Sequence, residues 1–200
     1  MRTHREIIGR MPKKVDPRER RTLIADALMR VAAEQGLEAV SLRHVAAEAG
    51  VSAGMVQHYF RTRDEMMGFA LAVVRERNQV RVTGAVAALG EQPPPRLLLR
   101  TILVTLLPLD DATRADGRVA LAFLAYTAVR PQTTRPLRAE TDQLTGFIAG
   151  LLPVAHAETA AAGLLALMEG LGLYLLGGQY SPDQALAALD GQLDLLFTGS

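Results

Sequence analysis

The sequence predicts an all-α protein of about nine helices arranged in two parts. Valine and isoleucine recur at helical spacing, and the nine Phe and Tyr residues never alternate with polar residues as they would in a half-buried strand. Glycine and proline divide the rest of the chain into segments of helical length. With 49% hydrophobic and 22% charged residues among 200, the chain can bury a core and lies outside the composition of disordered proteins.

Composition also excludes several classes of protein. The chain has no cysteine, which excludes a disulfide scaffold and a cysteine-ligated zinc or iron–sulfur site. The most apolar stretch, Leu164 to Gly178, is interrupted by Glu169 and several glycines, so we expect no membrane span. Residues 1–21 are basic and lack the apolar segment of a secretory signal. We therefore expect a cytoplasmic protein.

Charge is distributed unevenly along the chain. Residues 1–81 carry 15 Lys and Arg against 10 Asp and Glu, a net charge of +5, whereas residues 82–200 carry 7 against 11, a net charge of −4. This asymmetry indicates that the N-terminal part binds a polyanion. The basic run is densest in residues 1–15, which we expect to form a flexible arm, and a simple solvated tail would have the same composition.

The first helix has a well-defined start and end. Asp16 can cap it, Pro17 suits its first position, and Glu19 lies where a capping box requires an acidic residue. Gly36 follows its last turn and can end it. An apolar stripe at helical spacing predicts one buried face and consists of Ile24, Ala27, Leu28, Val31 and Ala32.

Two short helices follow, and their spacing predicts a helix-turn-helix. Ser41 can cap the second helix, which stops at Gly50, and Ser52 can cap a third only two residues later. Helices joined by so short a turn cannot lie side by side and must cross steeply. The third ends near Phe60. We assign residues 16–62 to this domain.

The remaining residues, 63–200, predict a connector helix followed by a helical bundle. The connector starts after Thr62, which forms a T-x-x-E capping box with Glu65, and continues to about residue 89. The triple proline 93–95 closes it. Further helices are predicted at about 95–107, 112–129, 134–152, 157–177 and 182–197.

The segment of residues 46–66, AAEAGVSAGMVQHYFRTRDEM, resembles the DNA-binding domain of the TetR family of transcriptional regulators. Ten positions agree with the family pattern in fixed register, namely Gly50, Val51, Ser52, Gly54, Val56, Tyr59, Phe60, Arg63, Asp64 and Glu65. The match covers roughly residues 18–70. The run from Val56 to Phe60, together with two apolar helices at the end of the chain, looks most like the branch of the choline-responsive BetI repressors.

A helix that enters the major groove must present small or polar side chains to the base edges. We expect residues 52–59 to be this recognition helix, because Ala53 and Gly54 permit close approach and Val56 can face inward. Gln57 replaces a tyrosine common in the family, and a glutamine can instead bond adenine. Arginine at position 43 matches a family position that can reach guanine, whereas hydroxyls and charges nearby suit phosphate. The predicted DNA-binding residues are Ser41, Arg43, Ser52, Ala53, Gly54, Met55, Gln57, His58, Tyr59, Arg61 and Arg63.

The resemblance implies that the C-terminal bundle encloses a small-molecule pocket and forms a homodimer. For the pocket wall we select Phe123, Tyr126, Phe147, Met168 and Glu169. A carboxylate among leucines must be paired, solvated or directed at a ligand, and an arginine partner for Glu169 is the first expectation. For the dimer interface we select Leu164, Leu165, Met168, Leu171, Leu175, Leu186, Leu189, Leu193 and Leu196.

These features together predict a homodimeric regulator, a repressor that binds a palindromic operator and is released by a small effector. A helical carrier of small molecules, whose basic head is incidental, and a helical enzyme are the alternatives. Neither accounts for the ten-position motif, and the four histidines are dispersed without a nucleophile–base pair. His58 has no partner at ligand spacing, so we expect no metal and no cofactor.

Overall fold

The computed structural model describes residues 16–36, 39–128 and 134–198, with the backbone alone for 134–137. Over these residues the chain forms nine α-helices and no strand, as predicted. The helices are α1 (Pro17–Gln35), α2 (Leu42–Glu48), α3 (Ala53–Tyr59), α4 (Arg63–Ala87), α5 (Pro95–Leu106), α6 (Asp111–Ala128), α7 (Thr134–Ala149), α8 (Ala157–Leu176) and α9 (Pro182–Thr198). Predicted ends agree with these bounds to within three residues. The expected arm, 1–15, lies outside the described residues.

Side-chain caps fix the helix ends where the sequence places them. The Asp16 carboxylate accepts a hydrogen bond from the Arg18 N–H at 2.9 Å, and the Thr62 hydroxyl accepts one from the Glu65 N–H at 3.1 Å. The Glu65 carboxylate in turn accepts the Arg61 N–H at 2.9 Å, so the start of α4 is capped reciprocally. Gly36 ends α1 at a φ of 79°, which would strain a residue with a Cβ.

The N-terminal helices share one apolar core. We call α1–α3 together with residues 63–74 of α4 the head. Ile24 of α1, Val45 of α2, Val56 of α3 and Met66 of α4 are each fully buried in this core. The short helices α2 and α3 are not long enough to be stable alone. Each keeps its position because it packs one apolar face against α1 and α4.

A second core lies among α5, α7, α8 and α9, which we call the body. Leu99 and Leu103 of α5, Ile148 of α7 and Leu164 of α8 are at most 2% exposed there. The long helix α4 extends from the head core towards α5 and so links head and body. The boundary at residue 62 stays a prediction, since the head core continues into α4.

This body core corrects part of the predicted dimer interface. Five of the nine selected residues are at most 2% exposed within the subunit itself and cannot cover a partner; they are Leu164, Leu171, Leu175, Leu189 and Leu193. Leu165, Met168, Leu186 and Leu196 are half-buried against the same core. Because α8 and α9 are apolar on several faces, their sequences do not distinguish the stripe that packs on α5 and α7 from the stripe left outside.

Helix α6 lies between the two cores. Val119 is buried in the head core, and Phe123 and Tyr126 pack against it. On the other side of α6, Gly117, Ala120 and Leu121 line a cavity in the body. Phe123 and Tyr126, predicted as pocket residues, therefore do not line this cavity, because their rings lie on the head-facing side of the helix.

Candidate nucleic-acid interface and ligand cavity

The turn between α2 and α3 is short and capped. Gly50 adopts a φ of 64°, a left-handed conformation that turns the chain directly after α2. The Ser52 hydroxyl then accepts a hydrogen bond from the Met55 N–H at 3.1 Å and caps α3. The two helices are thereby held as a helix-turn-helix. Val56 of α3 and Phe60, which directly follows α3, are fully buried.

One flank of α3 faces solvent. Ser52, Gly54, Gln57 and His58 are exposed, and three further predicted DNA-binding residues, Ala53, Met55 and Tyr59, are half-exposed beside them. The His58 and Tyr59 rings meet edge to face, with their centroids 5.2 Å apart. The flank therefore presents a small, polar surface about two turns long, which is the size of surface that a major groove admits.

Gly54 is not required by the packing of the subunit. A Cβ built at this position would meet a single side-chain atom, Ser52 Oγ, at 3.9 Å, and the backbone has no positive φ. Glycine in a helix costs about 1 kcal/mol relative to alanine. The subunit by itself gains nothing from this residue, which points to an external surface that approaches the backbone closely.

The start of α2 lies on the exposed side of the head as well. The Ser41 hydroxyl caps α2 by accepting the His44 N–H at 3.2 Å, and its own O–H can still donate to a phosphate. Arg43 and Arg61 are exposed. Within the described residues neither guanidinium has an ion-pair partner, whereas Arg30 pairs with Glu48. Arg43 and Arg61 are thus two exposed cations of the head without an ion-pair partner among the described residues.

Arg63 departs from the expectation. Its guanidinium carbon lies 5.7 Å from the centroid of the Tyr126 ring of α6, in a cation–π arrangement, and the side chain is half-buried. The Tyr126 hydroxyl donates to the neighbouring Asp64 carboxylate. Residues 63 and 64 therefore tie the start of α4 to the end of α6, and the Arg63 side chain packs against α6.

Sequence reasoning missed Arg21, which supports the end of α3. Its guanidinium lies 5.0 Å from the Phe60 ring centroid and 4.9 Å from that of Phe69, and it pairs with Glu65 at 3.5 Å. The basic run hides this role, since nothing in the sequence separates a stacked arginine from a solvated one.

The body contains a cavity of about 230 Å³ between α5, α6, α7 and α8, at the small end for a ligand site. Of the five predicted wall residues, Phe147, Met168 and Glu169 line it. Asn78 of α4 and Pro108, both missed by the sequence analysis, also line it. The walls are otherwise chiefly apolar, so the cavity suits a small molecule with an apolar body.

Glu169 lies where the cavity opens. Glu169 is exposed, and Phe147 and Leu173, which also line the cavity, are 49% and 46% exposed, so the cavity opens to solvent at these residues. Burial among apolar groups raises the pKa of the Glu169 carboxyl. The arginine partner expected for it is absent among the described side chains. Among the described residues that line the cavity, Glu169 is the only one with a carboxylate.

Comparison with known proteins agrees with this geometry. A family model described as the BetI-type transcriptional repressor, C-terminal, matches residues 95–198, and one described as bacterial regulatory proteins, tetR family, matches residues 24–68. A transcriptional regulator named BetI from Burkholderia thailandensis is 31% identical over 193 residues, which cover 93% of this chain and 97% of that protein. This chain belongs to the TetR family of transcriptional regulators.

Two other TetR-type comparisons cover different shares of the chain. The regulator PksA from Bacillus subtilis is 39% identical over 116 residues, 58% of this chain and 55% of that protein. A transcriptional regulator from Rhodococcus sp. Rha1 has a crystal structure that superimposes with a TM-score of 0.80 at 35% identity, covering 90% of this chain and 96% of that one. The TetR-family chain is thus a DNA-binding helix-turn-helix regulator with a BetI-type C-terminal domain, and it is not an enzyme.

Proposed function

We propose that this TetR-family regulator is a homodimeric repressor, acting in the bacterial cytoplasm, that binds a palindromic operator and is released by a small-molecule effector. The single observation that carries the operator-binding part is the solvent-exposed flank of α3, held in place by the buried Val56 and Phe60. Two such helices related by a twofold axis would enter successive major grooves and read the two halves of a palindrome.

On the operator, α3 supplies the base contacts. Gln57 and His58 carry hydrogen-bonding groups on the exposed flank, and Gln57 has the bidentate geometry that suits adenine. Ser52, Ala53 and Gly54 let the backbone come close to the base edges, with Met55 beside them as an apolar contact. Together these side chains form a surface that can distinguish one base pair from another.

Arg43 reads guanine from the start of α2, since its unpaired fork matches the O6 and N7 acceptors. Ser41, Tyr59 and Arg61 hold the phosphates on either side. Arg63 joins them only when its guanidinium leaves the Tyr126 ring, so we assign it a smaller share of the phosphate contacts.

The dimer uses the outer face of α8 and α9 instead of the predicted leucine stripe. By length and composition α8 is apolar enough to cross a membrane, yet only 28% of its apolar window is buried within the subunit. Its exposed residues include Ala162, Ala166 and Tyr174, and α9 adds Ala188, Gly191 and Leu195 at helical spacing, the last 70% exposed. Small residues at this spacing let two helix pairs meet closely in a four-helix bundle.

The effector is a small molecule with an apolar body and a positive charge. The walls of the cavity are chiefly apolar, and Glu169 at its mouth has no cationic partner among the described side chains. A partly desolvated carboxylate without a partner is less stable than a paired one, so a ligand cation at this point would be stabilised. Quaternary ammonium compounds fit this description, and choline is a small probe of this class.

The test begins with selection of a DNA site from random oligonucleotides, followed by binding measurements on variants. We expect Arg43→Ala to lose about 1–3 kcal/mol of discrimination between the best and mismatched sites. Arg118→Ala is the matched control, because it removes the same charge from an exposed position on α6. Equal loss in both variants, or no sequence preference in the wild type, would contradict the proposal.

A further inference from the structure

A cluster of charged side chains joins three helices where the head meets the body. Asp116 of α6 is 4% exposed, and both of its carboxylate oxygens are bonded. Its Oδ1 accepts a hydrogen bond from Arg77 Nη1 at 3.1 Å, and its Oδ2 accepts one from Arg81 Nη2 at 2.7 Å. Arg77 Nη2 also donates to Asp26 Oδ1 of α1 at 2.6 Å. The cluster therefore connects α6 and α4 to the first helix of the head.

The bonds within the cluster depend on one another. Burial alone would lower the pKa of Arg77, but its hydrogen bonds to Asp116 and Asp26 outweigh burial and raise it. Two arginines and two aspartates balance in charge, so a shift of any one of them leaves another without its partner in a partly desolvated place. Such a network has few stable arrangements, and it can pass a displacement from one helix to the next.

Asn78 of α4 connects this cluster to the ligand cavity. Its side chain lines the cavity, and its Oδ1 accepts a hydrogen bond from the same Arg81 Nη2 that donates to Asp116. Gly117, the neighbour of Asp116 in α6, lines the cavity as well, and a Cβ there would meet Pro108 Cβ at 3.3 Å. The guanidinium of Arg81 thus bonds both to Asn78 in the cavity wall and to the buried carboxylate of Asp116.

We propose that Asn78 senses an occupied cavity and transmits occupancy to the head through Arg81, Asp116, Arg77 and Asp26. This inference rests on the proposed function only in taking the cavity as the effector site. A ligand that forms a hydrogen bond with the Asn78 amide, or that packs against α6 at Gly117, changes the hydrogen bonds that Arg81 donates to Asn78 and Asp116. The change reaches Asp26, and α1 then moves relative to α4. Asn78 is a positioning residue here, because it acts on DNA binding through other side chains.

The absence of cysteine from the sequence allows the cavity to be filled without knowing the natural effector. Met168→Cys places a single thiol in the cavity wall. Its thiolate attacks the sulfenyl sulfur of benzyl methanethiosulfonate, methanesulfinate leaves, and an S-benzyl mixed disulfide fills the site. Mass spectrometry measures the extent of loading. The two readouts are amide hydrogen exchange in residues 17–35 and affinity for the selected operator.

In the Met168→Cys parent we expect loading to speed exchange in residues 17–35 at least fivefold and to weaken operator binding about tenfold. Adding Asn78→Ala should reduce both responses to less than twofold. Gln79→Ala is the matched control, because this neighbouring exposed amide bonds Thr83 at 3.2 Å and does not line the cavity. It should respond like the parent.

Asp26→Asn tests the other end of the relay at a partly exposed position, where misfolding is less of a risk, and should reduce the exchange response in the same way. The inference is overturned if loading leaves exchange in the parent unchanged, or if the Asn78→Ala and Asp26→Asn chains respond as strongly as the control. Failure of the wild-type chain to bind any selected operator would instead refute the proposed function, and the exchange readout would still decide the relay.

Discussion

Replacing Gly54 with alanine should make the protein more stable and a weaker DNA-binding protein at once. The position is exposed, its φ is not positive, and the added Cβ would come no closer than 3.9 Å to Ser52 Oγ. Nothing in the subunit therefore opposes the methyl group. We expect the free energy of unfolding to rise by about 0.5–1 kcal/mol, the usual difference between glycine and alanine in a helix.

The same methyl group would stand between the α3 backbone and the base edges. If this backbone approaches the groove floor as proposed, the variant should bind its selected site about tenfold more weakly, the equivalent of about 1.4 kcal/mol. Fluorescence anisotropy measures the affinity, and urea denaturation measures the stability.

Gly84→Ala is the matched control, since Gly84 lies exposed within α4 and a Cβ there meets nothing within 4 Å. It should gain similar stability and keep its affinity for DNA. The reasoning is refuted if the Gly54→Ala chain binds the site as tightly as the Gly84→Ala chain, because close approach at α3 would then be absent.

Three further predictions concern the body. Glu169→Gln should abolish cation binding to the cavity. In the wild type that binding should weaken as pH falls through the raised pKa of Glu169, at a higher pH than for an ordinary carboxylate. Isothermal titration at several pH values measures both effects. Leu195→Glu should convert dimers to monomers in sedimentation experiments, whereas Leu97→Glu, on exposed α5 surface, should not. Asp190→Asn should cost about 1 kcal/mol at neutral pH, because Arg100 bonds this carboxylate at 2.5 and 2.9 Å in a partly exposed pair. That pairing lowers the pKa of Asp190, so its contribution is present at neutral pH and is lost as pH falls through the lowered value; denaturant titrations at neutral and acidic pH measure it.

Local signals made the helices and the exposed flank of α3 predictable. Capping by Asp16 and Thr62, the turn at Gly50 and the inward Val56 all depend on residues within a few positions of each other. Short-range hydrogen bonds and helical spacing determine such features, so one sequence suffices to place them.

Features that depend on contacts between distant helices could not be predicted in the same way. Tyr126 lies on α6 at a spacing that fits either core, and only the packing of α6 against the head decides its side. Leu164 and Leu193 belong to helices that are apolar on more than one face, so their sequence spacing does not reveal which face lies inside. The link between Asn78 and Asp116 joins α4 to α6 across 38 positions, a pairing that no local pattern indicates.

The major-groove account of α3 is tested most directly by removing single acceptor atoms from the DNA. Each purine of the selected site is replaced in turn by its 7-deaza analogue, which lacks N7 but keeps its base pairing. We predict that one adenine in each half-site weakens wild-type binding about tenfold when substituted, and that the Gln57→Ala chain is indifferent to the same substitution. If no purine N7 matters, or if the wild type and the Gln57→Ala chain lose affinity equally at every position, the account is contradicted.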